Sequence, residues 1–180
     1  MQTKMIRNIF YIFFIAIILV LSRVLPHPPN FTPIIASAIM APILMRDRIT
    51  GCSVPIIAMF ISDIFIGFHA YQFVIYSTLL SISIFTPKFK KMFFLGLVAF
   101  LSSVWFYLTT NFAVWILWDY YPKNIEGLIS CYYLALPFFK NTILSTFFFT
   151  FLIAFGMKYL DYFNNLTYNF VFRLINFRKQ

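Results

Sequence analysis

Few residues in this chain could bind or react with a ligand, and they include its only two histidines. His27 lies in a proline-rich stretch, and His69 follows Asp63, a carboxylate inside an apolar run. Together with the thiol of Cys131, these groups could hold a metal ion or exchange protons. No metal-ligand spacing joins them, so we predict no metal site and expect all four side chains to contact a small molecule. For His27 the alternative is a hydrogen bond to nearby backbone, and for Cys131 it is an inert buried thiol.

Asp63 is the most informative single residue. A carboxylate that faces lipid costs roughly 2.5–3.5 kcal/mol on membrane-insertion scales. Asp63 must therefore face protein or a water-filled cavity. It could contact a ligand or pair with Arg23 or Lys140. Alternatively, it could cap a neighbouring helix end and serve only to order the structure.

Amide and aromatic side chains occur in the same parts of the chain. Asn30 follows the prolines, and Tyr121 and Asn141 lie in a later polar segment. Asn111 and Trp115 are four residues apart, which places them on one face if the helix continues that far. Small-molecule sites combine aromatic walls with a few polar groups, so we predict that all five residues bind ligand. For Trp115 the alternative is the aromatic belt at a membrane interface.

The composition predicts that lipid surrounds these residues. Of the 180 residues, 62% are hydrophobic, 22% aromatic and 11% charged, whereas a soluble domain has about 25% charged residues. Two cysteines exclude a disulfide-stapled scaffold. The net charge of +9 is scattered between apolar runs, so we predict no nucleic-acid partner.

The apolar runs predict one all-α integral membrane domain over residues 1–180, a bundle of about six transmembrane helices. The predicted spans are 6–25, 33–45, 54–68, 73–85, 92–112 and 134–157. In 159–180 apolar residues recur at helical spacing, which predicts an amphipathic helix along the inner membrane surface. With both termini in the cytoplasm, 11 of the 14 basic residues lie inside, as the positive-inside rule requires. The polar residues named above then gather in the outer loops.

Sequence signatures of catalysis and ion coupling do not occur in the chain. The five glycines are isolated from one another, so no glycine-rich loop could cradle a phosphate. The chain has neither His-Glu-x-x-His nor Gly-x-Ser-x-Gly, and no set of charges of the kind that couples ions in a secondary transporter. We therefore predict that the protein is not an enzyme, has no cofactor and is not an autonomous pump.

Several of these segments resemble a family of uncharacterised bacterial membrane proteins. They are Leu-Pro-His27-Pro-Pro-Asn-Phe-Thr-Pro33, Ser62-Asp63 with Gly67-Phe-His69, Thr-Asn111-Phe-Ala-Val-Trp115, Tyr121-Pro122, Gly127-Leu-Ile-Ser-Cys131-Tyr and Pro137-Phe-Phe-Lys-Asn141-Thr. That family is similar to the substrate-binding S components of energy-coupling factor vitamin transporters, and nearest to the solitary cobalamin-uptake members.

The resemblance implies a multi-pass protein of the bacterial cytoplasmic membrane with a ligand pocket on its outer side, built from the first, third and fifth loops. It also implies a function: uptake of a small organic micronutrient, a vitamin or cofactor precursor with cobalamin among the candidates. The partner would be a separate energising module with ATPases. Two alternatives stay open, namely a membrane scaffold subunit with the same fold and an intramembrane enzyme that uses His27, Asp63 and His69.

Overall fold

A computed structural model of the chain describes residues 15–45, 47–68, 70–88 and 91–177, with side chains as far as residue 159. Over these ranges the secondary structure is helical, with no β-strand, which confirms the predicted all-α class. The helices are α1 (Ile15–Val24), α2 (Ile34–Leu44), α3 (Arg48–Ile66), α4 (Gln72–Phe85), α5 (Met92–Leu117), α6 (Ile125–Leu134) and α7 (Leu136–Phe177). The start of the predicted first span, residues 6–14, lies outside the described residues.

Helix length and composition identify candidates for crossing a membrane. Three segments among the described residues are long and apolar enough: Arg48–Ile66, Met92–Leu117 and Leu136–Tyr159. α1, α2 and α4 are also apolar but shorter. In Met92–Leu117 and Leu136–Tyr159 most residues are not buried by the rest of the protein. An exposed apolar surface of this kind is suited to contact with lipid.

The shortest apolar run forms the centre of the bundle. In α2 every residue from Ile34 to Pro42 is buried, and the helix packs against α3, α4, α5 and α7. Small side chains such as Ala36 and Ala38 let neighbouring helices approach closely. At Gly51 of α3 the approach is so close that an added Cβ would lie 2.6 Å from Pro42 Cα. α2 therefore buries its whole circumference, which explains why its sequence shows no polar face.

Two helix boundaries differ from the sequence expectations for physical reasons. α3 begins at Arg48, before the predicted span 54–68, because Asp47 accepts a 2.9 Å hydrogen bond from the Thr50 backbone N–H and caps the first turn. The segment 113–133, which lies between the predicted spans 92–112 and 134–157, contains the last turn of α5 and all of α6 except its final residue. Asn124 caps α6 by accepting from the backbone N–H of Gly127 at 2.8 Å.

α7 continues well beyond the predicted end of the last span at residue 157. Its 42 residues form one uninterrupted helix, about 63 Å long at 1.5 Å per residue. The tail that was predicted as a separate surface helix is therefore helical but continuous with the span, as far as Phe177. A helix about twice as long as the roughly 30 Å hydrocarbon core cannot lie wholly inside it. The position of the tail on the inner membrane surface stays a prediction.

Candidate functional site

Two adjoining cavities open at one end of the bundle, where the proline-rich loop 25–33 meets the ends of α3, α5 and α6 and the beginnings of α4 and α7. Their volumes are about 350 Å³ and 300 Å³. We call the larger one the aromatic cavity and the smaller one the charged cavity. The wall between them is shared, and its residues are Asn30, Tyr71, Ile75, Phe106 and Thr142.

A buried ion pair lies in the wall of the charged cavity. Arg23 of α1 donates to Asp63 Oδ1 from Nη1 at 2.7 Å, and the Asp63 side chain is only 1% exposed. Gln72 and Tyr76 of α4 donate to the other carboxylate oxygen, Tyr76 at 2.7 Å. Arg23 also donates to the Ser62 hydroxyl. Of the alternatives open for Asp63, the structure contains the pair with Arg23, in a position that also borders a cavity.

The turn between α3 and α4 brings this cluster together. Gly67 ends α3 with a φ of 105°, a conformation that favours glycine, and its N–H donates to Asp63 O at 2.8 Å. The chain then reverses, so the last turn of α3 faces the first turn of α4. Gln72 and Tyr76 are one helical turn apart on α4 and can therefore both reach one carboxylate oxygen.

The proline-rich loop is held in place by its own backbone contacts and by α7. The Nδ1 atom of His27 is 2.7 Å from the carbonyl oxygen of Leu25, which is the backbone contact considered above. Asn30 has a φ of 59°, a conformation that asparagine tolerates better than most residues. Asn141 donates to Pro29 O at 2.9 Å, and Ser145 donates to Asn30 O at 3.3 Å. α7 thus fixes the loop that closes one side of both cavities.

The aromatic cavity lies between α5, α6 and α7. Tyr107 stacks on Phe139 with ring centroids 4.3 Å apart and donates from its hydroxyl to Tyr132 O at 2.5 Å. The Asn111 side chain donates to Tyr107 O at 2.8 Å, and the Cys131 thiol donates to Asn111 O at 3.4 Å. A wall of rings interrupted by amide, hydroxyl and thiol groups suits a flat, partly polar molecule.

The segment before α6 is fastened to the end of α5. The Trp115 indole N–H donates to Pro122 O at 2.9 Å, and the Lys123 ammonium group donates to the carbonyl oxygens of Trp115 and Trp118. A cation at this position satisfies helix-terminal carbonyls that otherwise lack a donor. An added Cβ at Gly127 would overlap the Pro122 carbonyl group. The close contact requires glycine there and sets the angle at which α6 covers the aromatic cavity.

The residues predicted from the sequence fall into three groups. Six line a cavity: His27, Asn30, Asp63, Asn111, Tyr121 and Cys131. Trp115 and Asn141 instead hold the loops that form the walls. His69 lies outside the described residues.

The sequence did not single out the cavity-lining residues Tyr71, Gln72, Tyr107 and Thr142, nor Tyr76, which donates to Asp63. Tyr76 and Tyr107 lie within apolar runs, where an aromatic residue is unremarkable. Gln72 could have been found from the sequence. It begins an apolar helix that follows the helix of Asp63, and its amide can donate a hydrogen bond to the Asp63 carboxylate.

Burial favours the neutral forms of two polar groups that line the aromatic cavity. Burial raises the pKa of the Tyr71 phenol and the pKa of the Cys131 thiol. A protonated thiol is a poor nucleophile and a poor metal ligand. Across the ranges that the structure describes, no three His, Cys, Asp or Glu side chains are grouped so that they could hold a metal ion.

The chain belongs to the family DUF6580, a family of unknown function whose model matches residues 3–167. No curated protein and no solved structure matches the chain.

Proposed function

We propose that the protein is the substrate-binding membrane subunit of an uptake system for a small organic micronutrient, a vitamin or cofactor precursor. The ligand binds in the two adjoining cavities at the outer face. In this proposal six helices cross the bacterial cytoplasmic membrane and both termini are cytoplasmic. The protein's role is binding and transfer, with no chemical step on the ligand and no resident cofactor.

The observation that carries the proposal is the convergence of distant segments on one hollow. Residues of the proline-rich loop, α3, α4, α5, α6 and α7 all line the two cavities. Volumes of about 350 Å³ and 300 Å³ fall in the usual range of small-molecule sites. Polar side chains such as those of Asp63, Tyr107 and Asn111 are fixed by hydrogen bonds within the protein, which favours selective binding of one solute over general hydration.

The charge distribution supports an outward-facing site. Lys91 and Lys158 lie together at the opposite end of the bundle, and Arg48 reaches the carbonyl oxygens of Ile84 and Thr86 there. Basic residues collect on the cytoplasmic side of membrane proteins. The cavities then face the compartment from which a nutrient arrives.

The energy source is proposed from the resemblance described above. S components release their vitamin after docking on a separate transmembrane and ATPase module, and the present chain has no nucleotide-binding loop of its own. A partner of this type would complete the uptake system.

A ligand screen with a matched pair of variants tests the proposal. Tyr121 lines the aromatic cavity, whereas its neighbour Tyr120 is exposed and does not. Purified protein is screened by thermal shift and calorimetry against vitamins and their precursors, including cobalamin. We expect one compound to bind, Tyr121→Ala to weaken its binding about tenfold through the lost ring contact, and Tyr120→Ala to leave it unchanged.

Two results would contradict the proposal. The first is that no compound of the panel binds. The second is that both tyrosine variants bind equally well. If affinity purification recovers a cell-wall or cytoskeletal complex and no ATPase, the scaffold function is favoured instead.

A further inference from the structure

A third cavity lies at the opposite end of the bundle from the proposed ligand site. Its volume is about 390 Å³, and it is enclosed by α2, the start of α5 and the middle of α7. The lining residues are apolar except for two lysines, and they are Met40, Ile43, Lys91, Met92, Leu95, Ala154, Phe155, Met157 and Lys158. No part of the proposed uptake function uses this cavity.

The cavity follows from the shortness of α2. With 11 residues α2 is about 16 Å long, whereas the 26 residues of α5 span about 39 Å. α2 ends at Leu44 and the chain turns towards α3. Beyond that point no helix of the described residues lies between α5 and α7, and the cavity remains beside Met40 and Ile43.

The two lysines at this cavity form no ion pair with any of the side chains that the structure describes, which end at residue 159. The described ion pairs are Arg23 with Asp63 and Lys123 with Asp119, both at the other end of the bundle. The carboxylate of Asp47 is occupied as the cap of α3. An anion at Lys91 and Lys158 would therefore displace no carboxylate whose side chain the structure describes.

We propose that this cavity binds an anionic phospholipid, with the phosphate between Lys91 and Lys158 and part of one acyl chain against the apolar wall. The ligand must combine a negative charge with an adjoining hydrocarbon chain, because two lysines line an otherwise apolar cavity. Basic pockets between transmembrane helices bind anionic headgroups in this way. Free phosphate would use the lysines alone, and a neutral lipid would use the apolar wall alone.

Native mass spectrometry of the delipidated full-length protein, titrated with phosphatidylglycerol, tests the proposal. Phosphatidylcholine with the same acyl chains and inorganic phosphate are the comparison ligands. We expect phosphatidylglycerol to bind most tightly, and Lys91→Gln and Lys158→Gln each to weaken its binding about fivefold. Lys88→Gln is the matched control, since Lys88 is exposed nearby but does not line the cavity. The Lys88→Gln variant should bind phosphatidylglycerol with the same affinity as the wild type.

A variant that fills the cavity separates a specific site from general attraction to basic residues. Ala154→Phe retains both lysines and occupies the apolar space, so phosphatidylglycerol binding should fall. Equal effects of the Lys88 and Lys91 variants, or equal binding of the two phospholipids, would overturn the proposal. Wild-type affinity in a folded Ala154→Phe variant would also overturn it, and if that variant does not fold, the lysine series decides. A vitamin that binds at the other end leaves these outcomes unaffected.

Discussion

Replacing Arg23 by methionine is expected to destabilise the protein strongly. Methionine keeps much of the aliphatic volume but leaves the Asp63 carboxylate buried without the cation that lies 2.7 Å away. Breaking a buried ion pair from one side costs about 3–5 kcal/mol. Gln72 and Tyr76 still donate to the other carboxylate oxygen, so we expect the lower end, about 3 kcal/mol.

Thermal unfolding of the purified protein in detergent measures this loss. For a chain of this size each kcal/mol shifts Tm by roughly 2–4 °C, so Arg23→Met should lower Tm by about 6–12 °C. The double variant Arg23→Met/Asp63→Leu should recover most of the stability, because neither charge is left unpaired. The exposed pair of Lys123 and Asp119, 3.7 Å apart, supplies the control. Asp119→Asn should leave Tm unchanged.

Either of two results would refute the reasoning about the ion pair. One is a Tm of Arg23→Met within about 1 °C of the wild type. The other is a double variant whose loss of stability equals the sum of the losses in Arg23→Met and Asp63→Leu, since that result would mean that the two charges do not interact.

Three further predictions concern other parts of the structure. Gly127→Ala should cost about 1–3 kcal/mol in thermal unfolding, because its Cβ would overlap the Pro122 carbonyl group. Hydrogen bonds from Thr50 lower the pKa of Asp47 in the folded protein below its ordinary 3.8. The ionised carboxylate therefore stabilises the folded state fully above pH 3.8, and this contribution is lost as pH falls through the lower pKa of the folded state. Asp47→Asn should therefore reduce the pH dependence of stability below about pH 4. Cys131 is only 2% exposed, and burial raises the pKa of its thiol above the ordinary 9.0. Maleimide at neutral pH should therefore modify Cys131 only after the protein is unfolded in SDS.

Each of these predictions has its own contradicting result. Gly156→Ala is the control for Gly127→Ala, since a Cβ at Gly156 meets no atom within 4 Å, and an equal loss at both positions would exclude overlap as the cause. If the stability of Asp47→Asn and that of the wild type depend on pH in the same way, the Asp47 carboxylate does not titrate as described. Site-resolved mass spectrometry that finds Cys131 labelled as fast in native as in unfolded protein would contradict its burial.

Helix positions were largely predictable because they depend on local composition. The predicted segments 33–45 and 73–85 correspond to Ile34–Leu44 and Gln72–Phe85. The extension of α3 to Arg48 depends on a cap that polar residues form, and a search for apolar runs cannot find it. α6 was missed because it is short and lies in a segment read as a loop.

The sequence by itself determined that this chain is an apolar, helical protein with a small number of charged and amide residues in and between its apolar runs. These properties follow from residue type and short-range spacing, which need no tertiary contact. Tertiary structure decided that Arg23 pairs with Asp63, a residue 40 positions away. It also decided that the whole circumference of α2 is buried and that the proline-rich loop and the ends of five helices enclose two cavities. Such pairings depend on how whole helices pack, and local hydrophobic periodicity does not specify which helices become neighbours.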